Sequence, residues 1–356
     1  MILDTTDKSN GAGIIAIDIG GGTQDVLLWE EGKNIENCVK MILPSPTQIV
    51  AKRIRKATLN GVPIALCGTT MGGGACSRAI RDHLKAGYPV YALEKPALSI
   101  HDNLDVVEQM GVRIVDSLPD DAVKIYMADV DTKALEIALA QFDVSLPEYY
   151  AIAVQDHGYS PDRSNREFRF TYWRNYLERG GKIDDLWASD PPEFMSRMWA
   201  VKETLQNSVV MDTGAAAILG ALCDERVSER QNGGIIILNV GNFHTVAALV
   251  IGDEVKGIYE HHTSLLTPEK LKKHLDRFRV GSLTNKEVFD DRGHGCAYSK
   301  DFKPGLFGKD CYVAVTGPRR SLVKTLGYEF VAPYGDMMLT GSFGLLAAAR
   351  KCWGLD

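Results

Sequence analysis

Apolar and polar positions alternate in short blocks along the chain, and two of these blocks repeat one pattern. An apolar run from Ile14 ends at the carboxylate of Asp18, a glycine-rich turn follows, and a second apolar run extends to Trp29. This order predicts a strand, a tight turn and a second strand. Residues 235–250 repeat it, with Asn239 in place of the carboxylate. One such hairpin in each half of the chain predicts two related halves around a shared cleft.

The residues between these hairpins follow a different pattern. From about residue 60 to 145, strand-like runs alternate with helix-like runs, which predicts βαβ units and a small parallel sheet inserted in the first half. Residues 160–199 are rich in arginine and aromatic side chains without clear periodicity, so they predict a long loop with short helices. The predicted fold class is therefore α/β.

The length of 356 residues is enough for two domains, which we place at residues 1–208 and 209–356. A net charge of −6 gives no basic field that would attract nucleic acid or an anionic membrane. No apolar run reaches the roughly 18 residues of a membrane helix. The first residues, MILDTTDKSNGAG, lack the pattern of a secretory leader. We therefore expect a cytoplasmic protein without a nucleic-acid or membrane partner.

The seven cysteines are scattered, and no two stand at CxxC or CxxxC spacing. Such a set is typical of reduced thiols that pack in a core. It does not indicate a disulfide framework or a cysteine-held metal cluster.

The turn after Asp18 suits a polyphosphate. Gly20, Gly21 and Gly22 let the backbone approach a ligand closely, and successive N–H groups in such a turn cradle phosphate oxygens. A carboxylate at the preceding strand end can hold Mg²⁺ through its water shell. The alternative is a plain hairpin turn, which needs fewer glycines.

Five segments in a fixed order give the chain a resemblance to a known superfamily. They lie at residues 18–25, 209–217, 239–244, 315–318 and 341–346. Together they resemble the two phosphate loops, the adenosine turn and the two connecting segments of the actin, heat-shock chaperone and sugar-kinase (ASKHA) superfamily. The resemblance implies two ribonuclease H-like halves around a nucleotide cleft. The insertion at about 60–145 departs from the usual compact first half.

The same resemblance implies ATP and Mg²⁺ as ligands. The implied cofactor-binding residues are Gly20, Gly21, Gly22, Thr23, Gln24, Gly241, Asn242, Gly317 and Pro318. Asp18 and Asn239 would hold the hydrated metal ion. Lys273 stands in a basic helix that the resemblance places near the adenine edge, although a solvated basic face is the alternative.

The reaction centre is predicted from the residues that follow the strand ending at Val154. Asp156 would position the attacking oxygen, with Gln155 beside it and Asp18 on the first loop. The alternative is a turn in which Asp156 is only a cap. Asn239 stands where the superfamily usually has Asp, and its missing charge predicts slow hydrolysis.

Three functions remain open from the sequence. The first is slow ATP hydrolysis that drives domain closure and action on a partner protein such as an enzyme. The second is a kinase for an anionic small molecule, and the third is a non-catalytic nucleotide sensor. At a finer level the chain resembles a family labelled "putative pyruvate formate-lyase activating enzyme". That label implies an iron–sulfur cluster, which needs closely spaced cysteines that the sequence lacks.

Two further features carry candidate chemistry. The glycine loop at residues 69–74 follows a predicted strand and opens a predicted helix, so it is either an anion site or a flexible connection. His261 and His262 are adjacent in a predicted strand and must face opposite sides. One of them, with Glu260 or His294, could hold a metal or a substrate, and packed histidines are the alternative.

Overall fold

The computed structural model of the protein describes residues 13–355, so most of the stretch assessed for a leader lies outside the described residues. The strands of this part are β1 Gly13–Ile19, β2 Thr23–Glu30, β3 Val39–Pro44, β4 Ile64–Gly68, β5 Val90–Ala92, β6 Val112–Ile114, β7 Val123–Met127, β8 Tyr149–Val154, β9 Trp187–Ala188, β10 Ser208–Asp212, β11 Ile235–Val240, β12 His244–Ile251, β13 Glu254–His262, β14 Gly295–Tyr298, β15 Tyr312–Thr316 and β16 Glu329–Phe330. The helices are α1 Pro46–Asn60, α2 Gly74–Lys85, α3 Glu94–Leu98, α4 Leu104–Gln109, α5 Thr132–Ala140, α6 Asn165–Glu178, α7 Ser196–Thr204, α8 Thr213–Leu222, α9 Glu225–Ser228, α10 Pro268–Phe278, α11 Asn285–Asp290 and α12 Thr340–Trp353.

The first half is built on a six-stranded sheet with the order β3-β2-β1-β8-β10-β9. β1, β8 and β10 are parallel, whereas β2 runs antiparallel to both of its neighbours. This is the ribonuclease H-like strand order with one short strand added at the edge. The side chains from Ile14 to Ile17 are fully buried, which is typical of a sheet covered on both faces.

The second half repeats the five-stranded order as β13-β12-β11-β15-β16, and its sixth strand, β14, is added at the opposite edge. β11 pairs antiparallel with β12 and parallel with β15, as β1 pairs with β2 and β8. The repeated hairpins at residues 14–29 and 235–250 thus occupy equivalent places. The predicted α/β fold with two ribonuclease H-like halves is confirmed by this topology.

Helices α8 and α12 pack against each other where the two halves meet. A Cβ on Gly220 would lie 1.7 Å from the carbonyl oxygen of Thr340, and one on Gly344 would lie 2.2 Å from that of Ala216. Only glycine permits this approach of the two backbones. Residues of both sheets, such as Ile14 and Ile237, belong to one continuous hydrophobic core with these helices.

The predicted insertion in the first half is present as a third, all-parallel sheet with the order β6-β5-β4-β7. It has a hydrophobic core of its own, to which α1 contributes Val50 and Ile54. The exact limits of the insertion and of the two halves stay a proposal.

The stretch predicted as a long loop with short helices contains a longer helix than expected, because α6 spans 14 residues, and α7 begins at the end of the stretch. The buried positions of α6 include Arg169 together with the apolar Phe170 and Trp173. A buried charge and several aromatic residues on other faces obscured the helical period. Among residues 13–355, none of the helices is both long and apolar enough to cross a membrane.

Candidate functional site

A cleft lies between the two halves, where the turns of their equivalent hairpins meet. The predicted site residues that line it are Asp18, Gly20, Gly21, Thr23, Gln155, Asn239, Gly241, Asn242, Gly317 and Pro318. Both connecting helices contribute their first residues, Thr213 and Gly214 from α8 and Thr340 and Gly341 from α12. The structure thus gathers Gln155 with residues from all five of the segments named from the sequence.

The two glycine-rich turns touch each other across the cleft. A Cβ on Gly21 would lie 2.6 Å from the ring of Phe243, and one on Gly22 would lie 2.8 Å from the side-chain nitrogen of Asn242. A larger residue at either position would therefore separate the turns or displace the opposite side chain. Gly22 faces Asn242 rather than lining the cleft.

Asp18 and Asp25 are paired neighbours on β1 and β2. Each has one buried oxygen, Oδ1, without a hydrogen-bond partner among the described residues. Burial raises the pKa of Asp18 well above its ordinary value, and the charges of Asp25 and Asp212 raise it further. Burial also raises the pKa of Asp25 to about 7. Unpartnered buried carboxylates are costly, and a cation would relieve that cost.

Asn239 occupies the position on β11 that Asp18 occupies on β1, and it lines the same cleft. Its amide nitrogen Nδ2 donates a hydrogen bond to Thr316 Oγ1 at 3.0 Å. The two halves therefore offer the cleft different groups, a carboxylate from one and an amide from the other.

The carboxylate of Asp156, predicted to position the attacking oxygen, does not line the cleft. Its Oδ1 accepts the backbone N–H of Gly158 at 2.8 Å, and its Oδ2 accepts those of Arg197 and Met198 at 2.9 and 3.0 Å. Arg197 and Met198 lie in the first turn of α7, so Asp156 caps that helix. The turn-and-cap alternative describes this residue.

Two further predicted residues also lie away from the cleft. Gln24 is buried and donates its side-chain N–H to the carbonyl oxygen of Pro44 at 3.0 Å. Lys273 is exposed on α10, as the solvated-face alternative describes.

The sequence did not indicate the buried ion pairs at the back of the cleft. Arg169 donates to both carboxylate oxygens of Asp212 at 2.6 and 2.9 Å, and its Nε donates to Glu260 Oε2 at 2.7 Å. Gln155 Nε2 donates to Glu260 Oε1 at 3.0 Å. Although burial favours the neutral acid, Arg169 and two nearby histidines hold the pKa of Glu260 below its ordinary value. The signal in the sequence that could have indicated these ion pairs is Arg169, a charged residue among the aromatic residues of α6.

Beside Glu260 lie four histidines from different elements. His244 and His262 are paired residues of β12 and β13. His294 precedes β14, and its Nε2 lies 3.3 Å from Nε2 of His157. Burial lowers the pKa of His244 to about 3 and that of His294 to about 4, so both rings are neutral at pH 7.

His261 faces the opposite side of β13, where its Nε2 lies 3.0 Å from Asp291 Oδ2. This agrees with strand alternation, which separates His261 from His262. His261 is fully buried in that position.

The glycine loop at residues 69–74 lines a second cavity next to the first hairpin turn. Gly72, Gly73 and Gly74 face this cavity together with Gln155 and Arg197. The N–H of Gly72 is already bonded to Asp129 Oδ1 at 3.2 Å, and Arg197 is paired with the same carboxylate at 2.8 Å. The anions that this loop can accept are therefore limited by Asp129.

Solved structures with a similar chain path have low identity to the protein. A PilM-PilN type IV pilus biogenesis complex is 12% identical, with 96% of this chain and 98% of that chain covered and a TM-score of 0.36. A ROK family glucokinase from Streptomyces griseus is 10% identical, with 96% and 100% covered and a TM-score of 0.35. The ethanolamine utilization protein EutJ from Carboxydothermus hydrogenoformans is 8% identical, with 94% and 88% covered and a TM-score of 0.28. At such values these likenesses carry no argument about activity.

Sequence comparison gives a more definite relationship. No curated protein matches the chain. One family model matches residues 71–322, which is more than half of the chain and includes residues 71–74 of the glycine loop and the whole second hairpin. The chain belongs to the family described as "Putative pyruvate format-lyase activating enzyme (DUF1786)".

Proposed function

We propose that the cleft binds ATP with Mg²⁺, and that slow hydrolysis drives closure of the two halves and action on a partner protein. The observation that carries this proposal is the environment of Asp18. Its side chain is half-buried near the end of β1, has one buried oxygen without a partner, and lies beside the turns of the two equivalent hairpins. A polyphosphate with its cation fits both features, because the turns offer N–H groups and the carboxylate requires positive charge.

Each part of the ligand has a group of residues suited to it. Gly20, Gly21 and Thr23 on one side, with Gly241 and Asn242 on the other, would bind the phosphates. The turn at Gly317 and Pro318 would receive the adenosine, beside Met337 and Met338. Asp18 and Asn239 would hold the hydrated Mg²⁺, which supplies charge neutralisation for the transferred phosphoryl group.

Slow turnover follows from the second hairpin. Asn239 has no charge, and its amide nitrogen is engaged by Thr316. With Asp156 committed to capping α7, Gln155 is the polar side chain in the cleft that we propose to orient the attacking water. Its amide is fixed by Glu260, so its orientation is set before a ligand arrives.

The buried ion pairs suit a coupling between nucleotide and domain closure. Arg169 comes from the first half, whereas Glu260 comes from the second half. Both line the cleft, so a ligand there would act on the groups that join the halves.

The family description suggests a partner enzyme for this switch. Activation by an iron–sulfur cluster would need several neighbouring thiolates. Within residues 13–355, no three cysteines lie close enough to bind one metal ion. We therefore propose that the chain acts on a partner enzyme through nucleotide-dependent closure rather than through cluster chemistry of its own.

A small-molecule kinase is the second candidate. It is favoured by the second cavity, which adjoins Gly20 and Gly21 and contains the 72–74 glycines and His157. An acceptor there would lie next to the first phosphate loop. A non-catalytic sensor is the third candidate, favoured by Asn239.

Thermal unfolding with ATP-Mg²⁺ tests the binding site. At about 100 times the dissociation constant, ATP-Mg²⁺ should stabilise the fold by roughly 2.7 kcal/mol. Asp18→Asn should remove most of the Mg²⁺-dependent part of this stabilisation. The control Asp190→Asn, at an exposed position, should keep it. Unfolding that ignores millimolar ATP-Mg²⁺ would refute the proposal.

Turnover then distinguishes the three functions. Hydrolysis stimulated by a partner protein supports the switch, and ADP release that depends on a small acceptor supports the kinase. Tight binding without turnover supports the sensor.

A further inference from the structure

Three histidines converge behind the second hairpin turn. His244 begins β12, His262 ends β13 directly opposite it, and His294 immediately precedes β14. One nitrogen of each lies within 4.8 Å of the nitrogens of the other two. Within residues 13–355, no other three His, Cys, Asp or Glu side chains bring their potential metal ligands this close together.

The convergence follows from sheet register. Glu260 and His262 are two residues apart on β13, so they face the same side. His262 is paired directly with His244 on β12, so the side chain of His244 lies on that side as well. The loop between α11 and β14 then brings in His294, whose backbone N–H donates to the carbonyl oxygen of Glu260 at 3.0 Å.

The ring of His294 has a buried nitrogen without a hydrogen-bond partner among the described residues. The side chain of His294 is 1% exposed, and its Nδ1 has no hydrogen-bond partner among the described residues. A buried imidazole nitrogen in that situation requires a partner. A bound metal ion would satisfy it.

The surroundings also suit a metal centre. Glu260 Oε1 lies 4.0 Å from His294 Nδ1, and the carboxylate is held in place by Arg169 and Gln155. An ion bound at Nδ1 would therefore lie close to a fixed carboxylate. The negative charge of Glu260 would also offset part of the charge of a divalent ion.

We propose that His244, His262 and His294 form a binding site for a divalent transition-metal ion of the Zn²⁺ class. Three imidazoles suit such an ion, whereas Mg²⁺ prefers oxygen ligands. Bonds of about 2.0–2.1 Å in a tetrahedron place neighbouring nitrogens about 3.4 Å apart, so small side-chain rotations from the observed separations complete the set.

The site is distinct from the proposed Mg²⁺ position at Asp18, but it adjoins both cavities. His244 lines the cleft and also the second cavity, where His157 lies beside it. Three protein ligands leave a fourth position, which is typical of zinc ions that bind water or substrate rather than only support the fold. A ligand oxygen entering either cavity would come next to this position.

The test uses the full chain, freed of metal with a chelator and kept reduced. Zn²⁺ affinity is measured by competition with a chromophoric chelator, and bound metal is counted by elemental analysis. We expect one Zn²⁺ per chain. With Co²⁺ we expect visible bands of a nitrogen-ligated site, without the strong near-ultraviolet band of thiolate ligation.

Variants identify the ligands. His262→Gln and His294→Gln should each weaken Zn²⁺ binding by more than about 100-fold, because loss of orienting partners alone costs about 10–100-fold. His101→Gln, at an exposed histidine, is the control and should bind as the parent does. Circular dichroism and the unfolding midpoint show whether each variant is folded, and His262, being half-buried, is the safer substitution.

Either of two results would overturn the proposal. One is the absence of stoichiometric binding by the parent chain, and the other is parent-like affinity in both folded histidine variants. The measurement needs no nucleotide, and Asp18→Asn should bind Zn²⁺ normally, so this test can fail or succeed independently of the ATP proposal.

Discussion

Arg169 Nε and Glu260 Oε2 lie 2.7 Å apart in a fully buried ion pair that joins the two halves of the protein. The same guanidinium binds Asp212 at the beginning of α8. The guanidinium of Arg169 thus forms ion pairs with two buried carboxylates, and its positive charge offsets the cost of burying both negative charges. The cleft is closed at its back by this arrangement.

Removal of Arg169 should therefore be strongly destabilising. Arg169→Met keeps much of the side-chain volume but leaves both carboxylates without their partner, so we expect a loss of about 3–5 kcal/mol in the free energy of unfolding. Urea denaturation measures it. Arg174→Met, at an exposed position of the same helix, should change stability by less than about 0.5 kcal/mol. Equal stabilities of the two variants would show that the ion pairs contribute little.

Asp156→Asn should affect stability rather than chemistry. The carboxylate accepts three backbone N–H groups, and an amide would direct one N–H toward these donors. We expect a loss of about 1–3 kcal/mol in unfolding free energy. Turnover per folded molecule should stay within a few-fold of the parent. A large loss of turnover without loss of stability would restore the catalytic role predicted from the sequence.

Gln155→Leu should separate binding from turnover. The change removes the side chain proposed to orient the attacking water, and we expect turnover to fall by roughly 10²-fold. ATP affinity should change only slightly, because the phosphate turns are unaltered. Gln141→Leu is a matched control at an exposed position. Single-turnover kinetics and equilibrium binding give the two quantities, and a fall in both would indicate that Gln155 mainly supports the cleft.

Gly344→Ala should push apart the two connecting helices. The added Cβ would lie 2.2 Å from the carbonyl oxygen of Ala216, and that backbone atom cannot move aside easily. We expect a loss of about 1–3 kcal/mol, the usual cost of overpacking. Gly233→Ala adds the same methyl group where nothing lies within 4 Å. If chemical denaturation gives the two variants the same stability, the helix contact is more tolerant than its geometry indicates.

Acid should weaken the fold in part through His274. Burial lowers the pKa of His274 to about 4 from an unfolded value near 6.5, and its Nδ1 lies 2.9 Å from the hydroxyl of Tyr259. Between these values the unfolded chain binds more protons, so this contribution to stability rises with pH from about 4 to 6.5 and is constant above.

His274→Gln removes that titration. The dependence of unfolding free energy on pH should become shallower by up to about 1.4 kcal/mol per pH unit within this window. A variant with the parent's slope would show that His274 titrates alike in both states.

Much of the fold was predictable because its signals are local. The alternation of apolar and polar residues set the strands of both hairpins. The capping box at the start of α11 is equally local, because Thr284 and Glu287 are only three residues apart. The glycine turn after Asp18 identified the cleft because backbone geometry there depends on a few consecutive residues.

Tertiary packing decided what those elements do together. Arg169 meets Glu260 and His157 meets His294 across long stretches of chain, and no local pattern specifies such pairs. Asp156 and Gln155 are adjacent in sequence, yet one caps a helix and the other enters the cleft, because successive side chains leave a strand in different directions. The sequence alone therefore determined the repeated hairpins and their chemistry. Only the packing of the two sheets, which sets the distances between remote side chains, decided the buried ion pairs and the histidine cluster.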